Sequence, residues 1–359
     1  MTSCLVLPDS AVKDILTNLS RDEIIAFQDA IGHSLKDYSV SNEREYQPDS
    51  GVVVRPNGQK ALWRPFTSST SVGTKIIVDP APQKNGGRSP LHGILTICDD
   101  QGLPTGIINA EEVTAFRTSM SALLPFRWRR RVEYIVVFGA GKQALWHSRL
   151  ALAIRGSEVR SIVIVNRTKA RAEGLVDQLV DENQRSWKSQ TEISCLDPAA
   201  SDHKNLLRER LTEADVVFCT VPSVEPLFAA DDIGKSKRPD QPLITAIGSW
   251  QPNMIELDPE LLRRLVNTGG RVVVDDMKTC LHHSGEIVRA KLEKEHVVEI
   301  GEVLDLKGKA SQSAGNDHWY EDGLFVYKSI GVSLTDLVSG NELLKIAKKK
   351  NVGISIPDF

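Results

Sequence analysis

The chain has 359 residues, 41% of them hydrophobic, which is enough apolar material to bury a sizeable core, so disorder is not expected and the length points to two domains or one domain with a large insertion. Its 44 basic and 47 acidic side chains leave a formal net charge of -3, no global field that would draw it to nucleic acid or an anionic membrane. The five scattered cysteines read as reduced thiols rather than a disulfide framework, and with no export segment at the N-terminus and no run of about 18 apolar residues the expected location is the cytoplasm.

The first 40 residues read as helical: Ser20 and Glu23 form a capping-box signal, and Ile24, Phe27, Ala30, Ile31 and Leu35 recur at helical spacing. From Gly51 short strands follow, at Val52–Arg55, Ala61–Arg64, Thr74–Val78, Gly93–Cys98 and Ile107–Asn109, with Pro56-Asn57-Gly58 as a hairpin turn. This half therefore reads as an α+β domain with a largely antiparallel sheet. Asn109, with Glu112 three residues on, starts a helix that carries Val113, Phe116, Met120, Leu123 and Leu124 on one side. Its other side carries Thr114, Arg117, Thr118 and Ser121, a polar stripe that reads either as ligand-facing or, as amphipathic patterning alone favours, as a solvated face. The run Arg127-x-Arg129-Arg130-Arg131 reads as a solvated hinge.

Beyond it, Tyr134–Phe138, Ser161–Val165, Asp215–Cys219, Leu243–Ile247 and Arg271–Asp275 are β-rich runs separated by helical stretches, the pattern of a parallel, doubly wound sheet. Phe325–Ser329 and a helix over Leu334–Ala347 are expected to return the chain to the first domain, and Gly308–Asp317 reads as a polar loop. The domains are accordingly placed at 1–125 plus 325–359 and at 126–324.

Directly after Tyr134–Phe138 comes Gly139-Ala140-Gly141-Lys142-Gln143-Ala144, a G-x-G-x-x-A opening a helix through Ala153. The first glycine permits the tight turn, the second lets the backbone approach a pyrophosphate, and Ala144 allows close helix–strand packing, as a Rossmann dinucleotide site requires. At the tip of the next strand an NAD site places an acid for the ribose hydroxyls. This chain has Asn166-Arg167-Thr168, so NADP(H) is expected, with Arg167 pairing the 2′-phosphate and Asn166 and Thr168 adding hydrogen bonds. Cys280, His282, His283 and Glu286 have metal-ligand chemistry at a spacing that fits no zinc pattern, and no metal is expected.

The ordered segments Thr74-Lys75-Ile76, Ser89-Pro90-Leu91-His92, Glu112–Arg117-Thr118, Gly139–Ala144, Asn166–Thr168, Thr220-Val221-Pro222, Ile247-Gly248-Ser249, Glu256-Leu257-Asp258, Gly285-Glu286 and Lys328-Ser329-Ile330-Gly331 resemble the ornithine cyclodeaminase/μ-crystallin family across roughly residues 45–340. The resemblance implies a Rossmann domain inserted in an α+β domain, a homodimer built by that α+β domain, and a small imino or amino acid substrate held between the domains. It makes Lys75, which local pattern alone reads as an exposed strand lysine, the active-site lysine, and Arg117 the clamp on the substrate carboxylate; an ammonium beside the reacting nitrogen can protonate it. It adds Thr118, Thr220, Val221, Ile247, Gly248 and Ser329 to the dinucleotide contacts.

The chain departs from the family in two places. Members that cyclise ornithine carry an aspartate where Trp250 stands, so cyclodeaminase chemistry is not expected and the ketimine-reductase branch is the better match. The family's Pro-x-Arg near residue 48 is replaced by Gln47-Pro48-Asp49-Ser50, so Arg55 or Arg64 is expected to take over part of the carboxylate grip, with Trp250 in the rebuilt substrate pocket. The expected activity is NADPH-dependent reduction of an imino acid, or the reverse oxidation. An opine-type dehydrogenase, a cyclodeaminase-like lyase and a non-catalytic NADPH-binding protein are the alternatives.

Overall fold

The computed structural model describes residues 3–83, 91–233, 239–310 and 319–359. It divides into two units, Met1–Arg117 with Val332–Phe359, and Thr118–Gly331.

The first unit is built on a seven-stranded sheet of β1 (Ser3–Leu7), β2 (Gly51–Val54), β3 (Lys60–Thr67), β4 (Ser71–Asp79), β5 (His92–Asp99), β6 (Pro104–Asn109) and a C-terminal strand Ile354–Pro357. The order runs from the C-terminal strand through β1, β6, β5, β4 and β3 to β2, and every pair is antiparallel except β1 with β6. The β2–β3 turn follows its sequence signature: Gly58 takes φ +86°, and its N–H donates to the Arg55 carbonyl at 2.9 Å.

Ser20 caps the helix Arg21–Val40 with both arms of the capping box in place. The final helix, Leu334–Lys350, lies against that helix and across β3, β4 and β5. Gly340 allows the approach, since a Cβ there would meet the Ile97 side chain at 2.4 Å. Phe27 meets Phe116 edge-on at 5.0 Å beneath the same layer. One expectation fails at the start of the chain, where Ser3–Leu7 is a strand, not part of a helix. Its pairing with both β6 and the C-terminal strand overrides local helical patterning.

The second unit holds eight parallel strands: β7 (Tyr134–Phe138), β8 (Ser161–Val165), β9 (Glu192–Cys195), β10 (Val216–Cys219), β11 (Leu243–Ala246), β12 (Val272–Val274), β13 (Val297–Glu299) and β14 (Phe325–Lys328), in the order β13-β12-β14-β11-β10-β7-β8-β9. The strands read as unbroken apolar runs because helices cover both faces. One face of the sheet, with Val136, Val163, Val217, Ile244 and Val274, packs on Leu261, Leu262 and Leu265 of the helix Pro259–Asn267. Strand order reverses between β7 and β10, the switch point where this class of fold places its ligand.

Three expectations change here. Phe325–Lys328 is an interior strand between β11 and β12, four buried residues long, so the second unit extends to Gly331 rather than ending at 324, and residues 118–125 also belong to it. Arg129 is buried: its guanidinium donates to the carbonyls of Tyr320, Gly323 and Gln241, while Arg130 pairs with Asp322, so this basic run fastens strand ends instead of forming a solvated hinge. Gly308–Ala310 end the helix Ile300–Ala310, and the remainder of the expected loop, 311–317, lies outside the described residues, as do Ser89 and Pro90. All five cysteines are free, and among the described residues no helix is long and apolar enough to cross a membrane.

Candidate active site

In the first unit, the β3–β4 register sets Arg64 directly opposite Lys75, so their side chains leave the same face of the sheet. Arg117 comes from the helix Ala110–Ala122 and Asp336 from the first turn of the final helix. Lys75 and Asp336 are fully buried and Arg117 nearly so. The carboxylate reaches both cations: Asp336 Oδ2 lies 2.7 Å from Lys75 Nζ, and Arg117 Nε donates to Oδ1 at 3.0 Å. The lysine contact is an ion pair without the alignment of a hydrogen bond, and Nζ has no aligned acceptor among the described residues. Burial pushes the Lys75 pKa down, Asp336 opposes, and Arg117 and Arg64 add to the fall, which ends at about 7. Burial alone would raise the Asp336 carboxyl; Arg117, Lys75 and Arg64 together outweigh it and hold the group below the usual carboxylate range.

The structure thus brings together Lys75, Arg117 and Arg64, and adds Asp336, which sequence reasoning missed because an acid in the first turn of a helix already has an explanation in the helix dipole. The solvated reading of the polar helix face is overturned: Arg117, Thr118 and Ser121 are all buried. Arg55 does not join the cluster. It sits exposed at the β2–β3 turn, four strand residues beyond the Arg64–Lys75 pair when counted from Lys60, or about 13 Å along the ladder. His92 is exposed at the start of β5 and pairs with Glu111 at 2.7 Å.

In the second unit, Gly139 takes φ +115°, and a Cβ there would lie 2.5 Å from Thr220 Oγ1, so only glycine fits between the ends of β7 and β10. Thr220 Oγ1 donates to the Phe138 carbonyl at 2.7 Å and ties those ends together. Gly141 faces open space, and the helix Lys142–Arg155 begins there with no side-chain cap, its first N–H groups turned toward the loop. Ala140, Gly141 and Lys142 line a cavity of about 360 Å³ with Arg171, another residue missed from sequence, which the first turn of the next helix brings beside them. Arg167 is exposed at the tip of β8, Asn166 donates to the Thr168 carbonyl, and neither Arg167 nor Arg171 has an ion-pair partner among the described residues. An uncapped helix start, a glycine facing open space and two unpaired guanidiniums fit a phosphate-bearing dinucleotide.

The loops after β10 and β11 meet so closely that a Cβ on Gly248 would fall 2.4 Å from Val221 N. A buried network holds them. Glu256 accepts N–H bonds from Val221 (2.8 Å), Gly248 (2.7 Å) and Ser249 (3.0 Å). Lys328 at the end of β14 donates to Ser249 O and Oγ and lies 3.5 Å from Glu286, which also accepts from the Ser249 hydroxyl and from Ser284. Burial raises the Glu256 pKa to about 7, with Lys328 opposing and Glu286 adding. Ser329 is held by Asp275, which also accepts from Gly331 N. Gln143 lies within reach of Ser119; Thr118, on the helix Ala110–Ala122, and Ile247, just past β11, are both buried. Trp250 stands exposed on the loop after β11. Cys280 and Glu286, named above for their ligand chemistry, are engaged by Asp275 and by the Lys328 network respectively.

Residues 53–350 match the sequence pattern of the ornithine cyclodeaminase/mu-crystallin family. The chain belongs to that family. Among its curated relatives is an uncharacterized cyclodeaminase of Dictyostelium discoideum, 28% identical over 299 residues, covering 80% of this chain and 78% of the relative. Another is the Delta(1)-pyrroline-2-carboxylate reductase of Bacillus cereus, 22% identical over 334 residues and covering 90% and 92% of the two chains. The fold matches an archaeal alanine dehydrogenase dimer with bound NAD (TM-score 0.74, 20% identity, 100% of both chains). It also matches the Thermococcus litoralis Delta(1)-pyrroline-2-carboxylate reductase in complex with NADH and L-proline (TM-score 0.75, 17% identity, 98% and 100%).

Proposed function

We propose that this family member reduces a cyclic or linear imino acid to the amino acid with NADPH. It is an NAD(P)H-dependent oxidoreductase acting on a carbon–nitrogen bond. The observation that carries the finer reading is the fully buried Lys75 ammonium, without an aligned acceptor and flanked by two guanidiniums, because such a group is costly unless a ligand completes it. Arg117, oriented through Nε by Asp336, grips the substrate carboxylate through its Nη groups, and Arg64 takes the place of the arginine missing near Pro48. The nucleotide, when bound, supplies the hydride. As the C=N π bond breaks, a C–H bond forms at carbon and Lys75 gives its proton to the nitrogen; the lysine recovers a proton from water. A lysine that titrates near 7 suits that task at neutral pH. Relatives named as pyrroline-2-carboxylate reductases support the substrate class.

Arg167 and Arg171 hold the 2′-phosphate, which makes NADPH the preferred cofactor, and the protein works as a homodimer through the apolar face that Val53, Trp63, Val72 and Ile94 leave exposed on the first unit's sheet. The deciding experiment follows NADPH oxidation with five- and six-membered cyclic imino acids. Lys75→Ala and Arg117→Ala should each lower turnover by about 10²–10⁴-fold, with NADPH binding kept. Turnover that survives in Lys75→Ala would remove the lysine from the chemistry.

A further inference from the structure

Asp336 projects from the final helix, Arg117 from the helix Ala110–Ala122, Arg64 from β3 and Lys75 from β4, so four elements aim charge at one buried point. Three of those charges are cations. Among the described residues Asp336 is the carboxylate that acts on Lys75; it is fully buried, and it divides its two oxygens between the two groups that the proposed reaction uses: Oδ2 to Lys75 at 2.7 Å, Oδ1 to Arg117 at 3.0 Å. The helix it starts has no side-chain cap, and this carboxylate faces the cations instead of the helix's own N–H groups. A buried ammonium between two guanidiniums loses its proton unless an anion stays beside it, and a guanidinium grips a carboxylate in two-point fashion only if its plane is fixed.

We infer that Asp336 is the positioning residue of the imino-acid site, keeping Lys75 protonated as the acid and fixing the plane of Arg117 with the same carboxylate. This rests on the reading of Lys75 and Arg117 given above. The direction of the Lys75 shift agrees: Asp336 is the group that opposes burial and the two arginines.

The test compares wild type with Asp336→Asn, which keeps the shape and removes the charge. In kcat/KM for NADPH-dependent reduction of a cyclic imino acid, the alkaline limb reports loss of the Lys75 proton. Asp336→Asn should move that limb to lower pH by about one unit or more, the least an adjacent opposite charge contributes. At neutral pH kcat should fall about tenfold or more, NADPH affinity should stay unchanged, and Asp336→Glu should recover part of the limb. A variant that only melts earlier, with its limb where the wild type has it, overturns the inference. A readout independent of turnover is the 13C signal of the Lys75 ε-carbon, assigned with Lys75→Arg. It should titrate at lower pH in Asp336→Asn than in wild type, and equal titration overturns the inference. If that shift appears while no imino acid is turned over, the reaction is misread and the role of Asp336 stands. Should Asp336→Asn not fold, the Asp336 carboxyl carbon in wild type must follow the Lys75 titration, and independent titrations overturn the inference.

Discussion

In the first unit Lys75 shares one carboxylate with two guanidiniums; in the second, Lys328 shares its ammonium between two carboxylates. Both lysines are buried, yet their surroundings differ in kind. Lys328 has hydrogen-bond acceptors in Ser249 O and Oγ at 2.5 Å, and Glu256 collects three backbone N–H groups, so nearly every polar atom there has a partner within its own unit. Among the described residues Lys75 has an ion pair with Asp336 and no aligned acceptor, and two guanidiniums act on it against that carboxylate. A saturated network rigidifies what it joins, here the loops after β10 and β11, while an unsaturated cationic one is stabilised by an arriving anion. On the reading proposed above, the chemistry falls to the incomplete cluster, and the complete one holds the loops after β10 and β11 in place.

The largest expected effect that would break this contrast is on stability. Lys328→Met leaves two buried carboxylates uncompensated and should cost about 3–5 kcal/mol in urea denaturation, whereas Lys75→Met relieves a cationic excess and should cost much less. Equal losses would mean that the two clusters do the same work. Ser249→Ala sharpens the contrast on a smaller scale, since Lys328 and Glu286 each lose a partner; about 1–3 kcal/mol is expected.

The two clusters should also answer pH in different windows. Glu256 has a folded pKa raised to about 7, so it holds more protons folded than unfolded; its contribution is present below its ordinary value of 4.5 and is lost as pH rises through 7. Lys75 has a folded pKa lowered from 10.5 to about 7, so its burial weighs against the fold at neutral pH and that penalty is relieved as pH rises toward 10.5. Melting curves from pH 5 to 9 should therefore lose the lower-window dependence in Glu256→Gln and keep the upper one. The smallest effect concerns the exposed counterpart of cationic excess: Arg167→Ala should weaken NADPH about tenfold, as loss of one charge-assisted hydrogen bond does, and leave NADH unchanged in a fluorescence titration.

Much of this architecture can be read from the chain. The runs Tyr134–Phe138 and Ser161–Val165 coincide with β7 and β8, because a strand buried on both faces must be apolar throughout, and Gly139 stands where no side chain fits. The short strands Glu192–Cys195, Val297–Glu299 and Ile354–Pro357 escape notice, since three or four residues at a sheet edge carry no period. Asp336 escapes for another reason: its partners lie 219 and 261 residues earlier in the chain, and its local position has a sufficient local explanation. Arg64 lay closer to reach, because a β3–β4 hairpin with a three-residue connection sets it across from Lys75.

The pairing of Ser3–Leu7 with Ile354–Pro357 has a consequence for biosynthesis. The nucleotide-fold unit is one uninterrupted stretch, Thr118–Gly331, so a ribosome delivers its whole sequence before the unit that holds Lys75 has its last helix and strand. The segment that carries Lys75 and Arg117 must wait through about 200 residues of synthesis for Asp336, on the order of 10–40 s at ordinary elongation rates. During that interval its cations lack their buried carboxylate and its sheet lacks both the helix that covers it and its edge strand, so the first unit completes its fold only after the second unit's sequence has been made.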